Sequence, residues 1–278
     1  MFTAITHKPS RSLNQGELTF LPRKKIDVAK ACEQHAAYCE MLKKLGTDVI
    51  TLDQNRALPD SVFVEDTALV LDKTAVLLPL GANSRKAESN LIEKNLAKFR
   101  TIVRIKPPAR IDGGDILIIG KTLFVGNSTR TNKKGIRALH KIVTPLGFEI
   151  VKVKVGNCLH LKTACTALDE KTVLINPEWV DAVAFKKFKQ IEVPIDEPFA
   201  ANVMRVGKTI CIHSGFKRTQ GLIEQHGCKT KSIDISEFLK AEAGLTCMSL
   251  VFETSEEKKK SVETKELSHK NSKLKHRE

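Results

Sequence analysis

The chain has 278 residues, 41% of them hydrophobic and 28% charged, with a formal net charge of +14. That is enough apolar material for a substantial core, and a length that fits one large domain or two average ones. No apolar run approaches a membrane span of roughly 18 residues and no N-terminal stretch reads as an export signal, so a cytoplasmic protein that touches no membrane is expected.

FTAIT at 2–6 reads as a strand, 27–45 as an amphipathic helix and DVITL at 48–52 as a second strand. One pattern then recurs: apolar strand, tight polar turn, apolar strand, helix, apolar strand. The hairpins are VFVEDTALVL-DK-TAVLLPL, DILII-GK-TLFVG, LHLKTACTAL-DEK-TVLINP and NVMRV-GK-TICIHSG, and their turn lysines, Lys73, Lys121, Lys171 and Lys208, are 48, 50 and 37 residues apart. Helices are predicted after them at 84–99, 131–145, 178–188 and 217–226, each followed by a strand (TIVRIK, FEIVKVKV, KQIEVPI, KTKSIDI). GLTCMSLVFE leaves a fifth unit incomplete, and the first segment of the chain can complete it. The expected fold is therefore α/β, a five-unit pseudo-symmetric propeller of ββαβ-type repeats, rather than an open doubly wound sheet. Residues 1–253 are read as one catalytic domain and 254–278 as a charged tail that cannot repay the entropy of ordering.

Asp66, Asp112, His160 and Asn202 lie 7, 9, 11 and 6 residues before their turn lysines, at the predicted start of each inner strand, and Cys247 holds the matching place in the fifth unit. Units arranged about an axis bring these residues to one mouth. A thiol, an imidazole and carboxylates together make an activated nucleophile, whereas each alone is ordinarily a core or turn residue. Arg85 and Arg130 each stand four residues after a glycine, in Gly-Ala-Asn-Ser-Arg and Gly-Asn-Ser-Thr-Arg. In equivalent places ahead of a helix they suggest a clamp for a carboxylate. Seven cysteines without a CxxC pair argue against a disulfide framework or a zinc ribbon. The positive charge invites a nucleic-acid reading, but it looks dispersed: residues 254–278 carry eight Lys and Arg against five Asp and Glu, the other +11 is spread over the body, and no helix is expected to gather several cations on one face. No nucleic-acid partner is expected.

The segments LPDSVFVEDTALV, GANSR, IDGGDIL, FVGNSTRTN, LHLKTACT, AANVMRVG and GLTCMSLVF together resemble the dimethylarginine dimethylaminohydrolases, members of the guanidino-group-modifying (pentein) superfamily of five-unit propellers. The resemblance implies hydrolysis of asymmetric dimethylarginine, and of monomethylarginine, to citrulline and an amine through a covalent thiouronium on Cys247. It places His160 as general acid and base and Asp112 as its acidic partner. Asp60, Glu65 and Asp66 fall where the family holds the guanidinium, Arg85 and Arg130 where it holds the carboxylate, and Leu18 and Ala241 on loops offering carbonyls to the α-amine. No cofactor and no resident metal are implied, although zinc can bind a Cys247-centred site as an inhibitor. The expected partner is a small methylated arginine, and the expected state a monomer or homodimer. The alternatives are an arginine deiminase-like enzyme releasing ammonia, against which stand the length and Glu65 in place of an arginine, and a non-catalytic binder of arginine derivatives.

Overall fold

A computed structural model describes residues 1–54 and 57–255. The chain opens with β1 (Phe2–His7), α1 (Val28–Lys44) and β2 (Thr47–Leu52). Then come β3 (Ala68–Val70), β4 (Thr74–Leu77), α2 (Glu88–Leu96) and β5 (Thr101–Arg104), followed by β6 (Ile116–Ile119), β7 (Thr122–Asn127), α3 (Lys133–Val143) and β8 (Glu149–Lys154). A single helical turn, α4 (Leu161–Ala164), leads into β9 (Cys165–Ala167), β10 (Thr172–Ile175) and β11 (Lys189–Glu192). The last stretch holds β12 (Met204–Val206), β13 (Thr209–His213), α5 (Lys217–Gln225), β14 (Lys229–Ile233), the turn α6 (Ser236–Leu239) and β15 (Ser249–Glu253).

Among the described residues these strands form five three-stranded sheets of one topology, an antiparallel pair whose second strand pairs in parallel with a third. Blade 1 is β15-β1-β2, in which the two ends of the chain meet: Phe2 pairs with Glu253 and also, in parallel, with Thr47. Blades 2 to 5 follow in chain order.

Strands facing two neighbours must be apolar on both sides, and blade 3 shows it residue by residue. Ile116, Leu123 and Val125 pack toward blade 2 beneath α3, whereas the alternating Leu117, Ile119 and Phe124 pack toward Val173 and Phe185 of blade 4. Five such buried clusters fill the five blade interfaces, the last two joining Leu174 to Ile210 and Ala4 to Met204 and Phe238. Each fully buried Leu, Ile or Phe contributes about 1.5–3 kcal/mol, so the ring is held by its seams.

Four expectations change. The starts of the inner strands are helical turns, at Val64–Thr67, Gly113–Asp115, Leu161–Ala164 and Thr246–Met248, with true strands of only three to five residues behind them. Convergence of buried polar side chains leaves their backbones to bond locally rather than to a sheet. The helix expected at 178–188 is a short turn at Ala182–Phe185, whose start Asp181 caps by accepting the Val183 N–H. The body also runs past 253. Thr254 is buried, donates its N–H to the Met1 carbonyl and pairs its hydroxyl with Thr3 at 2.8 Å. The rest of the expected tail, 256–278, lies outside the described residues. Finally, α3 does gather cations on one face, with Lys133, Lys134, Arg137 and Lys141 all exposed. No helix of the described residues is long and apolar enough to cross a membrane.

Candidate active site

The helical turns at the blade starts bring their side chains to one end of the axis. A small cavity of about 20 Å³ there is lined by Asp60, Asp66, Arg85, Arg130, His160, Ala241 and Cys247, all expected from the sequence, together with Glu17, Phe63, Leu159, Glu242 and Ala243.

Cys247 sits mid-turn, half-buried, its sulfur accepting the Gly244 N–H at 3.3 Å. Burial, with Glu65 and Asp66 close by, pushes its thiol up to about 12, against the opposing pull of the Gly244 N–H and Lys162. His160 precedes α4. Its Nε2 lies 3.1 Å from Asp112 Oδ2 and its Nδ1 3.9 Å from Asp66 Oδ1. Burial works against its positive charge, but Asp66, the Asp112 hydrogen bond and Asp115 outweigh it and lift the imidazole to about 9. At neutral pH the resting site therefore holds a neutral thiol and an imidazolium.

Asp112 stands behind His160, off the cavity wall, and its other oxygen takes the Gly81 N–H at 2.7 Å. The two glycines after it are a matter of space. A Cβ on Gly113 would lie 2.0 Å from the Glu65 carbonyl oxygen, and one on Gly114 would lie 2.6 Å from His160 Nδ1. Asp115 turns the other way and takes Ser128 Oγ at 2.5 Å, Thr131 Oγ1 at 2.6 Å and the Leu161 N–H at 2.9 Å. Thus IDGGD, which reads as a turn, is the post to which the His160 turn is tied.

The two arginines differ. Arg85 is buried, and its Nε and Nη2 are bound by Glu88, with contacts of 3.2 and 2.8 Å. Nη2 also donates to the Phe63 carbonyl at 3.0 Å, and Nη1 donates to Asp66 Oδ2 at 2.7 Å. Of five guanidinium N–H groups, one on Nη1 is left. Arg85 and His160 hold Asp66 well below the usual carboxylate range despite its burial. Burial pushes Glu88 up to about 7 against the pull of Arg85. Arg130 is buried too, but its Nη1 has no hydrogen-bond partner and lies 3.8 Å from Asp112 Oδ2, while Nη2 reaches Thr19 Oγ1 only at 3.4 Å. The bidentate grip expected of both is open only at Arg130.

Asp60 is on the wall, taking the Glu17 N–H at 3.0 Å, and its burial raises its pKa against Arg85. Glu65 and Leu18 are not on the wall. The Glu65 carboxylate is held from behind by Lys162 at 2.5 Å and Thr246 Oγ1 at 2.8 Å, facing a separate channel of about 430 Å³ along the ring axis. Leu18 lies in a strap whose next residues, Thr19, Phe20 and Leu21, donate their N–H groups to Glu242. Asn202 ties the two reactive turns together, donating to the Lys162 carbonyl at 2.9 Å and accepting the Thr246 N–H at 3.1 Å. Sequence reasoning missed Glu88, Lys162 and Glu242. The first two had signals, an i,i+3 acid after Arg85 and a cation two residues from His160, whereas Glu242 had none. Among the described residues one trio, Asp66, Asp112 and His160, brings metal-ligating atoms within 4.8 Å of one another; Cys247, around which the sequence allowed an inhibitory zinc, is not in it.

Residues 19–252 match the family described as N,N dimethylarginine dimethylhydrolase, eukaryotic. The N(G),N(G)-dimethylarginine dimethylaminohydrolase of Pseudomonas aeruginosa is 36% identical over 250 residues, 89% of this chain and 98% of that one. The Streptomyces coelicolor enzyme of the same name is also 36% identical, over 89% of this chain and 95% of its own. In structure, the Pseudomonas aeruginosa enzyme solved as a mutant complexed with citrulline superimposes with a TM-score of 0.87 at 35% identity, covering 90% of this chain and 98% of that chain. An N-terminal domain of an arginine dihydrolase, 20% identical with a TM-score of 0.83 over 91% of this chain and 98% of that one, shares the fold. With its blades, its paired turns and these relatives, the chain belongs to the dimethylarginine dimethylaminohydrolase family.

Proposed function

We propose that the chain hydrolyses asymmetric dimethylarginine, and monomethylarginine as a second substrate, to citrulline and dimethylamine or methylamine. The observation that carries this reading is the convergence of Cys247, His160, the carboxylates Asp60 and Asp66 and the part-free guanidinium of Arg130 on one cavity.

A guanidinium is a poor electrophile because its charge is delocalised, so it must be held planar with its carbon against the nucleophile. Asp66, kept ionised by Arg85, and Asp60 supply that hold. Arrival of the substrate cation favours the thiolate, drawing the Cys247 pKa down from about 12 and releasing its proton. The sulfur attacks the central carbon to give a tetrahedral adduct. The His160 imidazolium, whose Nδ1 faces Asp66 beyond hydrogen-bond reach, donates its proton to the departing dimethylamine as the C–N bond breaks. The now neutral imidazole takes a proton from water, the hydroxide adds to the thiouronium, and the C–S bond breaks as the adduct's hydroxyl proton passes to the departing sulfur, giving citrulline and the resting thiol. An imidazole lifted to about 9 suits the first of these roles, since it is protonated when the amine must leave. Arg130 takes the α-carboxylate with two N–H groups, and Arg85 adds its last one. A cavity of about 20 Å³ is smaller than an amino acid, so its wall must shift to admit substrate, and the strap held by Glu242, itself on that wall, is one element that can move.

The test is to give purified protein dimethylarginine, monomethylarginine and arginine in parallel and to measure citrulline and the released base. Citrulline with dimethylamine supports the reading. Ammonia from arginine as the main product points to a deiminase, and no turnover of any of them to a binder.

A further inference from the structure

We propose that the outer face of blade 3 is a docking surface for the phosphate backbone of nucleic acid, used independently of the catalytic mouth. Residues 105–154, the blade and its lead-in, hold ten Lys and Arg against three Asp and Glu, a net +7 that is half of the chain's +14. Asp112 and Asp115 are buried in the active site, which leaves Glu149 as the exposed acid of this stretch.

The fold puts most of these cations on one side. The residues α3 exposes are Lys133, Lys134, Arg137, His140 and Lys141, and its apolar side, Ile136, Leu139 and Val143, is sealed against the sheet. Lys133, Arg137 and Lys141 recur every fourth residue, a row with a rise of about 6 Å between neighbours. In β8, Ile150 packs beneath α3 whereas Val151 and Val153 pack toward blade 4, so by alternation Lys152 and Lys154 share the face of α3. Both are exposed. Among the described residues none of Lys133, Lys134, Arg137, Lys141, Lys152 and Lys154 makes an ion pair. Lys133 and Lys134 moreover occupy the first turn of α3, where the helix dipole is already positive and acidic residues are favoured. A closely spaced polyanion relieves that repulsion.

Nucleic acid fits better than a lipid surface. Helices that lie on bilayers sink an apolar face into the headgroup boundary, and the apolar face of α3 is already used inside the protein. The exposed face of α3 carries no Phe, Tyr or Trp to stack on bases, so contact is to phosphates and independent of sequence.

The experiment is fluorescence anisotropy of a labelled 20-base-pair DNA duplex with the full-length chain over a series of salt concentrations. Four to five phosphate contacts predict a log–log salt slope of about −4. The triple variant Lys134→Glu, Arg137→Glu, Lys141→Glu should bind at least tenfold more weakly while turning over dimethylarginine as wild type does. Lys152→Gln with Lys154→Gln, a change that leaves α3 intact, should cost a smaller, several-fold loss. Undiminished binding by the triple variant overturns the proposal, because the affinity then resides elsewhere, as in the basic residues beyond 255. Tighter binding to vesicles containing 30% phosphatidylserine than to the duplex overturns it as well.

Discussion

Arg85 and Arg130 hold equivalent places in two consecutive blades, each four residues after a glycine, yet the structure uses them differently. Arg85 is enclosed by Glu88, Asp66 and the Phe63 carbonyl and keeps one N–H, while Arg130 has a buried Nη1 with no hydrogen-bond partner. The difference comes from one residue: the helix after Arg85 starts with Glu88, an acid three positions on, whereas the helix after Arg130 starts with Lys133. A repeat sets where a side chain emerges. What lies one helical turn later decides whether it is free to bind or engaged in holding a neighbour.

Both arginines matter only if chemistry occurs at Cys247, and the largest effect tests that. Cys247→Ser should lower turnover by more than about a hundredfold with the fold intact by circular dichroism, since a hydroxyl stays protonated where a thiol ionises. Near-normal activity would end the nucleophile assignment.

Next in size, Glu88→Ala should cost about 1–3 kcal/mol of stability in chemical denaturation, because it leaves the buried Arg85 Nε without an acceptor and Asp66 as the remaining counter-ion. The same variant should lower kcat as Asp66 loses its alignment. Arg130→Gln, by contrast, should leave kcat close to wild type and raise KM for dimethylarginine, having removed a contact made in ground and transition states alike. A decarboxylated analogue sharpens this: Arg130→Gln should cost little more on it, whereas Arg85→Gln should damage turnover of both substrates. Equal KM effects from the two arginine variants would restore the symmetric clamp.

A third test uses pH. The His160 imidazole is raised from 6.5 unfolded to about 9 folded, so the native state binds that proton more tightly. Its contribution, about 3 kcal/mol, is fully present below about 6.5 and is lost as pH rises through 9. Unfolding free energy should fall across that window, the fall should shrink in His160→Gln, and kcat should drop above pH 9 as the general acid is lost. The smallest effect is expected at the terminus. Truncation after Ser255 should leave kcat and Tm unchanged, while truncation before Thr254 should lower Tm by removing its contacts with Met1 and Thr3.

Much was legible beforehand because it is periodic or local. Apolar runs around short polar turns announced the hairpins, the helices expected at 27–45 and 131–145 form with Asp27 and Asn132 as their caps, and GLTCMSLVFE announced the strand that closes the ring. The reactive pair followed from equivalent positions and from resemblance. Less legible were the elements whose form depends on what they meet. The inner strands give way to helical turns where polar side chains converge, and the predicted helix at 178–188 shrinks to Ala182–Phe185.

The sequence by itself determined the repeat, the blade order, and the residue types at each mouth position, since these rest on side-chain periodicity and short-range turn chemistry. Only the tertiary structure decided which charges are spent on one another. It pairs Glu88 with Arg85, Lys162 with Glu65 and Asp115 with the His160 turn, leaves Arg130 Nη1 without a hydrogen bond, and gathers α3 and β8 into one basic face. Those outcomes depend on burial and on distances between blades, and the energy of a charge is set by what surrounds it rather than by its place along the chain.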